Sequence, residues 1–111
     1  MAQRSLALSK YSKDAVRLLA TLIRRARKEK GMTEQELADR IGVSRSLVRR
    51  IEKADTSCGI GSVFEAATIV GVSLFDMDHS TIRFQLSQQE KFVALLPKAI
   101  RKKEVIVNDD F

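Results

Sequence analysis

The stretch from Met32 to Glu52 constrains the fold more than any other part of the chain, because it encodes two short helices and the turn between them. Thr33 and Glu36 have the spacing of a capping box, in which each side chain accepts a hydrogen bond from the other residue's backbone N–H. Gly42 permits a left-handed backbone that a residue with a Cβ resists. Ser44 is placed to cap the second helix. The pattern predicts two helices that cross closely at a glycine turn.

The apolar residues of this pair fall on one side of each helix. Leu37, Ala38 and Ile41 point inward from the first helix, and Val48 and Ile51 from the second. The small Ala38 lets the two backbones approach. The opposite face of the second helix therefore projects away from the body, in the geometry that lets a helix enter the DNA major groove, which is about 12 Å wide.

Helical patterns flank this pair on both sides. Upstream, Ser12 is expected to cap a long helix that ends at Gly31. Its apolar residues recur at three- and four-residue intervals, and Leu18, Leu22 and Ile23 among them are expected in the core: Ala15, Leu18, Leu19, Leu22, Ile23 and Ala26. Downstream, residues 60–70 predict a helix that ends at Gly71, and residues 72–75 one closing turn.

Residues 80–97 carry two patterns. Ile82, Phe84 and Leu86 alternate with polar residues as in a strand, whereas Ile82, Leu86, Val93 and Leu96 also fit one face of a helix. Ser87 and Glu90 have capping-box spacing, and Pro97 would end a helix. We favour the helix.

Charge is concentrated in one half of the chain. Residues 1–53 hold 14 Lys and Arg against 6 Asp and Glu, a net +8, whereas residues 54–111 hold 6 against 8, a net −2. A basic half is typical of proteins that bind a polyanion such as nucleic acid. Arg24, Arg25, Arg27 and Lys28 lie on the polar face of the first helix, as phosphate contacts or as ordinary surface charge.

The composition argues against an enzyme. Cys58 and His79 are the only residues of their types, so neither a disulfide nor an ordinary zinc or histidine-dependent catalytic site can be built. We therefore predict no catalytic residues, no metal and no cofactor. No apolar run suits a membrane span or a secretory signal, and a cytoplasmic location is expected.

The segment from Thr33 to Glu52 resembles the helix-turn-helix of the Xre (Cro/C1, phage-repressor-like) regulators. Those proteins share a Thr-Gln-x-x-Leu-Ala run, a Gly-Val-Ser turn and an arginine-containing recognition helix that ends in Ile-Glu; here the turn is Gly42-Val43-Ser44. The resemblance covers about residues 13–77, including the ending Gly71–Asp76. It implies an all-α fold: a compact five-helix domain with a C-terminal helical extension and a flexible tail.

The resemblance also implies site residues. Ser44, Arg45, Ser46 and Arg50 match positions that face base edges in DNA. Arg49 matches a position beside the DNA backbone or an adjacent base, and the backbone is the expected contact. Thr33, at a helix N-terminus, would face a phosphate, and Lys28 is a further expected backbone contact. The family's usual glutamine after the threonine is Glu34 here, and its carboxylate would repel that phosphate.

We accordingly divide the chain into an arm (1–11), a helix-turn-helix domain (12–78), an extension (79–97) and a tail (98–111). This C-terminal region is similar to that of HipB-type antitoxins: a helix, a Leu-Leu-Pro step at residues 95–97, and a tail with a basic cluster and an acidic, aromatic end. That similarity implies an antitoxin that represses its own operon and binds a HipA-like kinase toxin, with Asp109, Asp110 and Phe111 of the tail as the expected contacts. A homodimer on a palindromic operator is expected because one small module makes too few contacts with DNA to bind an operator tightly. Residues 72–97 are the expected dimer surface. Two alternatives remain open: an interaction adaptor that no longer reads DNA, and a regulator without a toxin.

Overall fold

The computed structural model describes residues 7–100 and 102, and every regular element in this part of the chain is helical. The order is α1 (Lys10–Glu29), α2 (Glu34–Ile41), α3 (Arg45–Glu52), α4 (Ile60–Val70), a 3₁₀ turn (Leu74–Asp76) and α5 (His79–Leu95). The predicted all-α fold is confirmed. Two compact units meet in sequence between Met77 and Asp78, so that α1 to the 3₁₀ turn form one and α5 belongs to the other.

Small side chains bring the first four helices close together. Three of the eight residues of the buried core are alanines, and the other five are branched aliphatic residues. The core residues are Ile23, Leu37, Ala38, Val48, Ile51, Ala66, Ala67 and Val70. Ala38 of α2 has no exposed surface, as expected for a crossing point. Because Val48 and Ile51 are both in this core, α3 is anchored by one face only.

A buried ion pair joins α1 to α3. Arg27 donates from Nε to Glu52 Oε2 at 2.6 Å and from Nη2 to Glu52 Oε1 at 2.9 Å. Its Nη1 also donates to the Met32 backbone carbonyl at 2.8 Å, so the guanidinium is held at both ends. The pairing with Glu52 raises the pKa of Arg27. The sequence pattern placed Arg27 on a basic surface, and that placement is wrong.

The predicted start of α1 is also wrong. The cap is Ser9, whose Oγ accepts from the Ser12 backbone N–H at 3.2 Å, and the helix begins at Lys10. Ser12 therefore lies inside the first turn. The serine three residues upstream offers the same capping chemistry, and the helix extends to it. The other end is as predicted, since Gly31 has a φ of 66° just after the helix.

Two leucines expected in the core lie at its edge. Leu18 is 61% exposed and Leu22 is 38% exposed, whereas Ile23 is fully buried. The apolar stripe of α1 is wider than the face that α3 and α4 cover. Leu18 and Leu22 instead line a shallow apolar groove of about 260 Å³ with Phe64, Leu74 and Phe75.

The second unit contains the helix α5, so the helix favoured for residues 80–97 is present and the strand suggested by the alternating pattern is not. The helix is capped by Asp78, whose Oδ1 accepts from the Thr81 N–H at 2.8 Å. The predicted capping box of Ser87 and Glu90 is wrong, because both residues lie inside the helix. Leu96, before Pro97, has an extended backbone, as the proline ring requires.

Gly42, which turns the chain from α2 into α3, has a φ of 83°. We expect Gly42→Ala to lower the free energy of unfolding by about 1 kcal/mol, because an L-residue is strained in this conformation. A Cβ would meet nothing within 4 Å, so no steric clash adds to this cost. Urea unfolding measures it. The control is Gly61→Ala in α4, which also has open space around it and should be neutral or stabilising; equal losses in both variants would refute the backbone argument.

Candidate nucleic-acid interface

Two helix caps and one glycine fix the position of α3 against α2. Thr33 Oγ1 accepts from the Glu36 N–H at 3.0 Å, and Glu36 Oε1 accepts from the Thr33 N–H at 3.0 Å, so the predicted capping box is present. Ser44 Oγ accepts from the Leu47 N–H at 3.1 Å at the start of α3. Hydrogen bonding from Thr33 to the Glu36 carboxylate, mainly from the backbone N–H, lowers the pKa of Glu36. The capping box, the left-handed glycine and the Ser44 cap predicted for this turn are therefore all present.

The predicted base-contacting residues lie together on the outer face of α3. Ser44, Arg45, Ser46 and Arg50 are all exposed, and so is Arg49. Arg45 and Arg49 are one helical turn apart, as are Ser46 and Arg50, so the four side chains form two adjacent rows. The opposite face carries Val48 and Ile51. This surface of α3, residues 44–46, 49 and 50, is called the basic face below.

Glu34 points toward the basic face. Its Oε1 lies 3.5 Å from Nη2 of Arg49 and 4.0 Å from Nε of Arg45. All three side chains are partly exposed, so each contact is a screened surface interaction worth well under 1 kcal/mol. The sequence predicts only that this carboxylate repels a phosphate. It carries no signal for the pairing of Glu34 with two arginines that lie on a different helix.

Arg50 is held by the loop that follows α3. Its Nε donates to Asp55 Oδ2 at 2.8 Å and its Nη2 donates to Ser57 Oγ at 2.7 Å. Asp55 Oδ1 in turn accepts from the backbone N–H of Ser57 at 2.8 Å and from its hydroxyl at 2.6 Å. The bonds from Ser57 and Arg50 hold the pKa of Asp55 well below its usual range. Neither loop residue was predicted as part of the site.

A basic cleft beside the basic face brings Lys28 and Arg49 together. It has a volume of about 410 Å³ and is lined by four cations outside the buried pair, Arg24, Lys28, Arg49 and Lys53, with Glu34 at its wall. Thr33 is exposed at the N-terminus of α2. Its Oγ1 accepts the capping bond from the Glu36 N–H at 3.0 Å. The cations and this N-terminus suit phosphate oxygens.

Other chemistry finds little support in residues 7–100 and 102. No group of three or more His, Cys, Asp or Glu there is arranged to hold a metal ion. Burial raises the pKa of the Cys58 thiol, which disfavours a reactive thiolate. Among the helices described, none combines the length and the apolar character needed to cross a membrane. Asp109, Asp110 and Phe111 lie outside the described residues, and their role in partner binding stays a prediction.

Comparison with known proteins agrees with this geometry. A family model described as Helix-turn-helix (HTH_3) matches residues 23–77, about half of the chain. A protein described as an "uncharacterized HTH-type transcriptional regulator" of Methanothermobacter thermautotrophicus is 51% identical over 35 residues, which are 32% of this chain and 51% of that protein. The chain thus matches about half the length of this curated relative. No solved structure matches it significantly.

The family match supports the resemblance to Xre-like helix-turn-helix regulators over the segment that holds α2, α3 and α4. It includes the basic face, the basic cleft and the loop with Asp55. Neither match bears on the narrower resemblance to HipB-type antitoxins, which stays a proposal.

Proposed function

We propose that this protein is a sequence-specific DNA-binding transcriptional regulator whose α3 reads the major groove. The observation that carries the proposal is the one-sided anchoring of α3: Val48 and Ile51 are buried, whereas Arg45, Arg49 and Arg50 are exposed. A helix held in this way presents guanidinium groups to solvent on a rigid support. Ser44, Arg45, Ser46 and Arg50 are the proposed base contacts.

Arginine chemistry fits such a role. A guanidinium can donate two parallel hydrogen bonds to O6 and N7 of guanine, and a good pair of this kind discriminates against other bases by about 1–3 kcal/mol. Thr33, Lys28 and Arg49 would contact phosphates and set the register of α3 without reading sequence. No metal or cofactor has a part in this mechanism.

The test is selection from a pool of duplexes with a randomised segment of about 25 base pairs, at about 0.15 M salt. We expect a single enriched sequence that binds at least ~1,000-fold more tightly than a scrambled duplex of equal composition. Binding without enrichment, or no binding at low salt, would contradict the proposal. The scrambled duplex also measures the electrostatic affinity that any basic protein shows.

Glu34 predicts a variant that binds DNA more tightly. Glu34→Gln removes the carboxylate within 4.0 Å of Arg45 and Arg49 and places there the residue usual at this position in the resembling family. We expect a several-fold gain in affinity, equal on the enriched and scrambled duplexes, because phosphate attraction does not depend on sequence. Fluorescence anisotropy measures both. Glu65→Gln, which removes an exposed carboxylate on α4, is the control; an equal gain there would mean that only net charge matters.

The regulator is proposed to act as a homodimer on a palindromic operator, with residues 72–97 as the dimer surface. Within α5, which is described throughout, no residue is buried, and Phe84, Phe92 and Leu95 are each at least 59% exposed. Helices in proteins gain most of their stability by packing an apolar face against other residues. A partner that covers its aromatic residues would stabilise it.

Replacing Phe84 and Phe92 with serine should therefore raise the dimer dissociation constant at least ~100-fold, since each buried phenylalanine contributes about 1.5–3 kcal/mol. Analytical ultracentrifugation gives the mass directly. Arg83→Ala, on the same helix, is the control and should stay dimeric. A monomeric wild-type protein at tens of micromolar would remove this part of the proposal.

The narrower proposal is that the regulator is the antitoxin of a HipBA-type operon and neutralises a HipA-like kinase toxin. It is supported by the tail sequence with Asp109, Asp110 and Phe111, not by any described contact. A chain that lacks residues 104–111 should keep its DNA affinity and lose binding to a kinase encoded by the adjacent gene. Retained kinase binding would exclude the tail, and an adjacent gene of another class would favour a regulator without a toxin.

The second candidate function is an interaction adaptor that does not read DNA. The observation in its favour is that Arg45, Arg49 and Arg50 each have a carboxylate oxygen within 4.0 Å. Arginines that are paired with carboxylates can stabilise a protein surface without contacting DNA. The selection experiment separates the two functions, because an adaptor enriches no sequence.

A further inference from the structure

Arg50 differs from the other arginines of α3 in how it is held. Arg45 and Arg49 have one weak contact with Glu34 at 4.0 and 3.5 Å. Arg50 makes two short hydrogen bonds, to Asp55 at 2.8 Å and to Ser57 at 2.7 Å. The Ser57 hydroxyl also donates a hydrogen bond to the Asp55 carboxylate. Its side chain nevertheless remains 46% exposed. One arginine of the basic face is thus both oriented and accessible.

The turn after α3 builds this arrangement. Ala54 has a φ of 61°, which is unusual for a residue with a Cβ and turns the chain back toward the helix. The Asp55 backbone N–H then donates to the Arg50 carbonyl at 3.0 Å. This backbone bond places the carboxylate of Asp55 beside the side chain of Arg50. The Asp55 side chain therefore loses little conformational freedom when it pairs with Arg50.

The two bonds occupy one edge of the guanidinium and leave another open. Arginine has five N–H groups in a planar fork. The bonds to Asp55 and Ser57 use Nε and one hydrogen of Nη2. Both hydrogens of Nη1 and the second hydrogen of Nη2 remain. The end edge, between Nη1 and Nη2, thus keeps the two parallel donors that match guanine O6 and N7.

We propose that Asp55 and Ser57 are positioning residues that hold Arg50 in the orientation needed to read one guanine of the operator. This inference rests on the proposed function. Asp55 and Ser57 need not touch the base; they act through Arg50, by ordering a long side chain before DNA arrives. Ordering such a side chain on binding weakens affinity by a few-fold to about tenfold, and the positioned arginine avoids that loss. Because the pKa of Asp55 is lowered, the carboxylate stays ionised at every pH used for DNA binding.

The charge of Asp55 gives the inference a distinctive signature. A carboxylate near DNA repels phosphates, so its removal alone should strengthen binding to any sequence. Positioning predicts the opposite effect on the specific sequence. Ser57→Ala separates the two, because it removes a hydrogen-bond acceptor without any change of charge.

The test uses the full-length chain and the duplex enriched by wild-type protein, together with duplexes that change each base pair in turn. We expect Asp55→Ala and Ser57→Ala to lose about 3- to 10-fold of discrimination at the single base pair at which Arg50→Ala loses it. Affinity of Asp55→Ala for the scrambled duplex should stay equal or rise. In an Arg50→Ala background, Asp55→Ala should cause no further loss of discrimination. Asp39→Ala, which removes an exposed carboxylate of α2 that accepts from Gln35 at 2.8 Å, is the control.

Three results would overturn the inference. The first is a loss spread evenly over all base pairs, the second is a loss that persists in the Arg50→Ala background, and the third is unchanged discrimination in both loop variants. If the wild-type protein and Arg50→Ala define a guanine contact and the loop variants leave it intact, only the positioning role fails. If the wild-type protein enriches no sequence, the proposed function fails and this inference with it.

Discussion

Glu52→Ala should lower the free energy of unfolding by about 3–5 kcal/mol, the largest loss expected from any single side chain outside the apolar core. The side chains of Arg27 and Glu52 are 9% and 4% exposed, and the two hydrogen bonds between them measure 2.6 and 2.9 Å. Without Glu52, the guanidinium keeps only its bond to the Met32 carbonyl and leaves a buried charge without a counter-ion. The effect is measured by guanidinium or urea unfolding near neutral pH.

The surface pair of Arg25 and Glu29 is the matched control. The Arg25 Nε and the Glu29 Oε2 are 3.5 Å apart, but the two side chains are 72% and 64% exposed. Glu29→Ala should therefore cost about 0.5 kcal/mol or less. The double variant Arg27→Met with Glu52→Leu should recover most of the stability lost in Glu52→Ala, because it leaves no unpaired charge. A loss below about 1 kcal/mol in Glu52→Ala would show that the pair does not hold α1 to α3.

The second large effect is on DNA binding. Arg50→Ala should weaken binding to the enriched duplex by about 5- to 150-fold, which corresponds to the 1–3 kcal/mol of a bidentate guanine contact. The loss should fall on one base pair, so that duplexes changed at that pair are bound equally by wild-type and variant protein. Measurement of dissociation constants on the set of single-base-pair changes gives the position as well as the size.

Lys28→Ala is the control for charge. Lys28 lies in the basic cleft and not on α3, and as a phosphate contact it should weaken binding to all sequences alike and reduce the salt slope by about 1. Arg50→Ala should leave affinity for the scrambled duplex much less affected than affinity for the enriched one. Equal losses on both duplexes would mean that Arg50 contributes charge and reads no base.

The features that the sequence predicted well depend on neighbouring residues. The capping box of Thr33 and Glu36, the left-handed Gly42 and the Ser44 cap each rest on three or four consecutive positions, and no distant residue competes for them. Where two caps were available within a few residues, as with Ser9 and Ser12, local chemistry could not choose between them.

The features that were missed depend on contacts between distant residues. Arg27 pairs with a glutamate 25 positions away, and Glu34 approaches an arginine 15 positions away, at spacings that no helical period predicts. Leu18 and Leu22 belong to the same stripe as Ile23, and only the extent of the surface covering α1 separates them. Asp55 reaches Arg50 because the chain turns at Ala54, whose positive φ has no signal in an alanine.

Methylation of guanine N7 with dimethyl sulfate tests whether α3 lies in the major groove with arginines on guanine. Duplexes of the enriched sequence are methylated sparsely, bound by the protein and separated into bound and free fractions. Methylated guanines should be depleted from the bound fraction at matching positions in two half-sites about one helical turn, or ~34 Å, apart. A bound fraction in which each guanine of the site is methylated as often as in the free fraction would contradict major-groove reading, since no arginine could then occupy those N7 atoms.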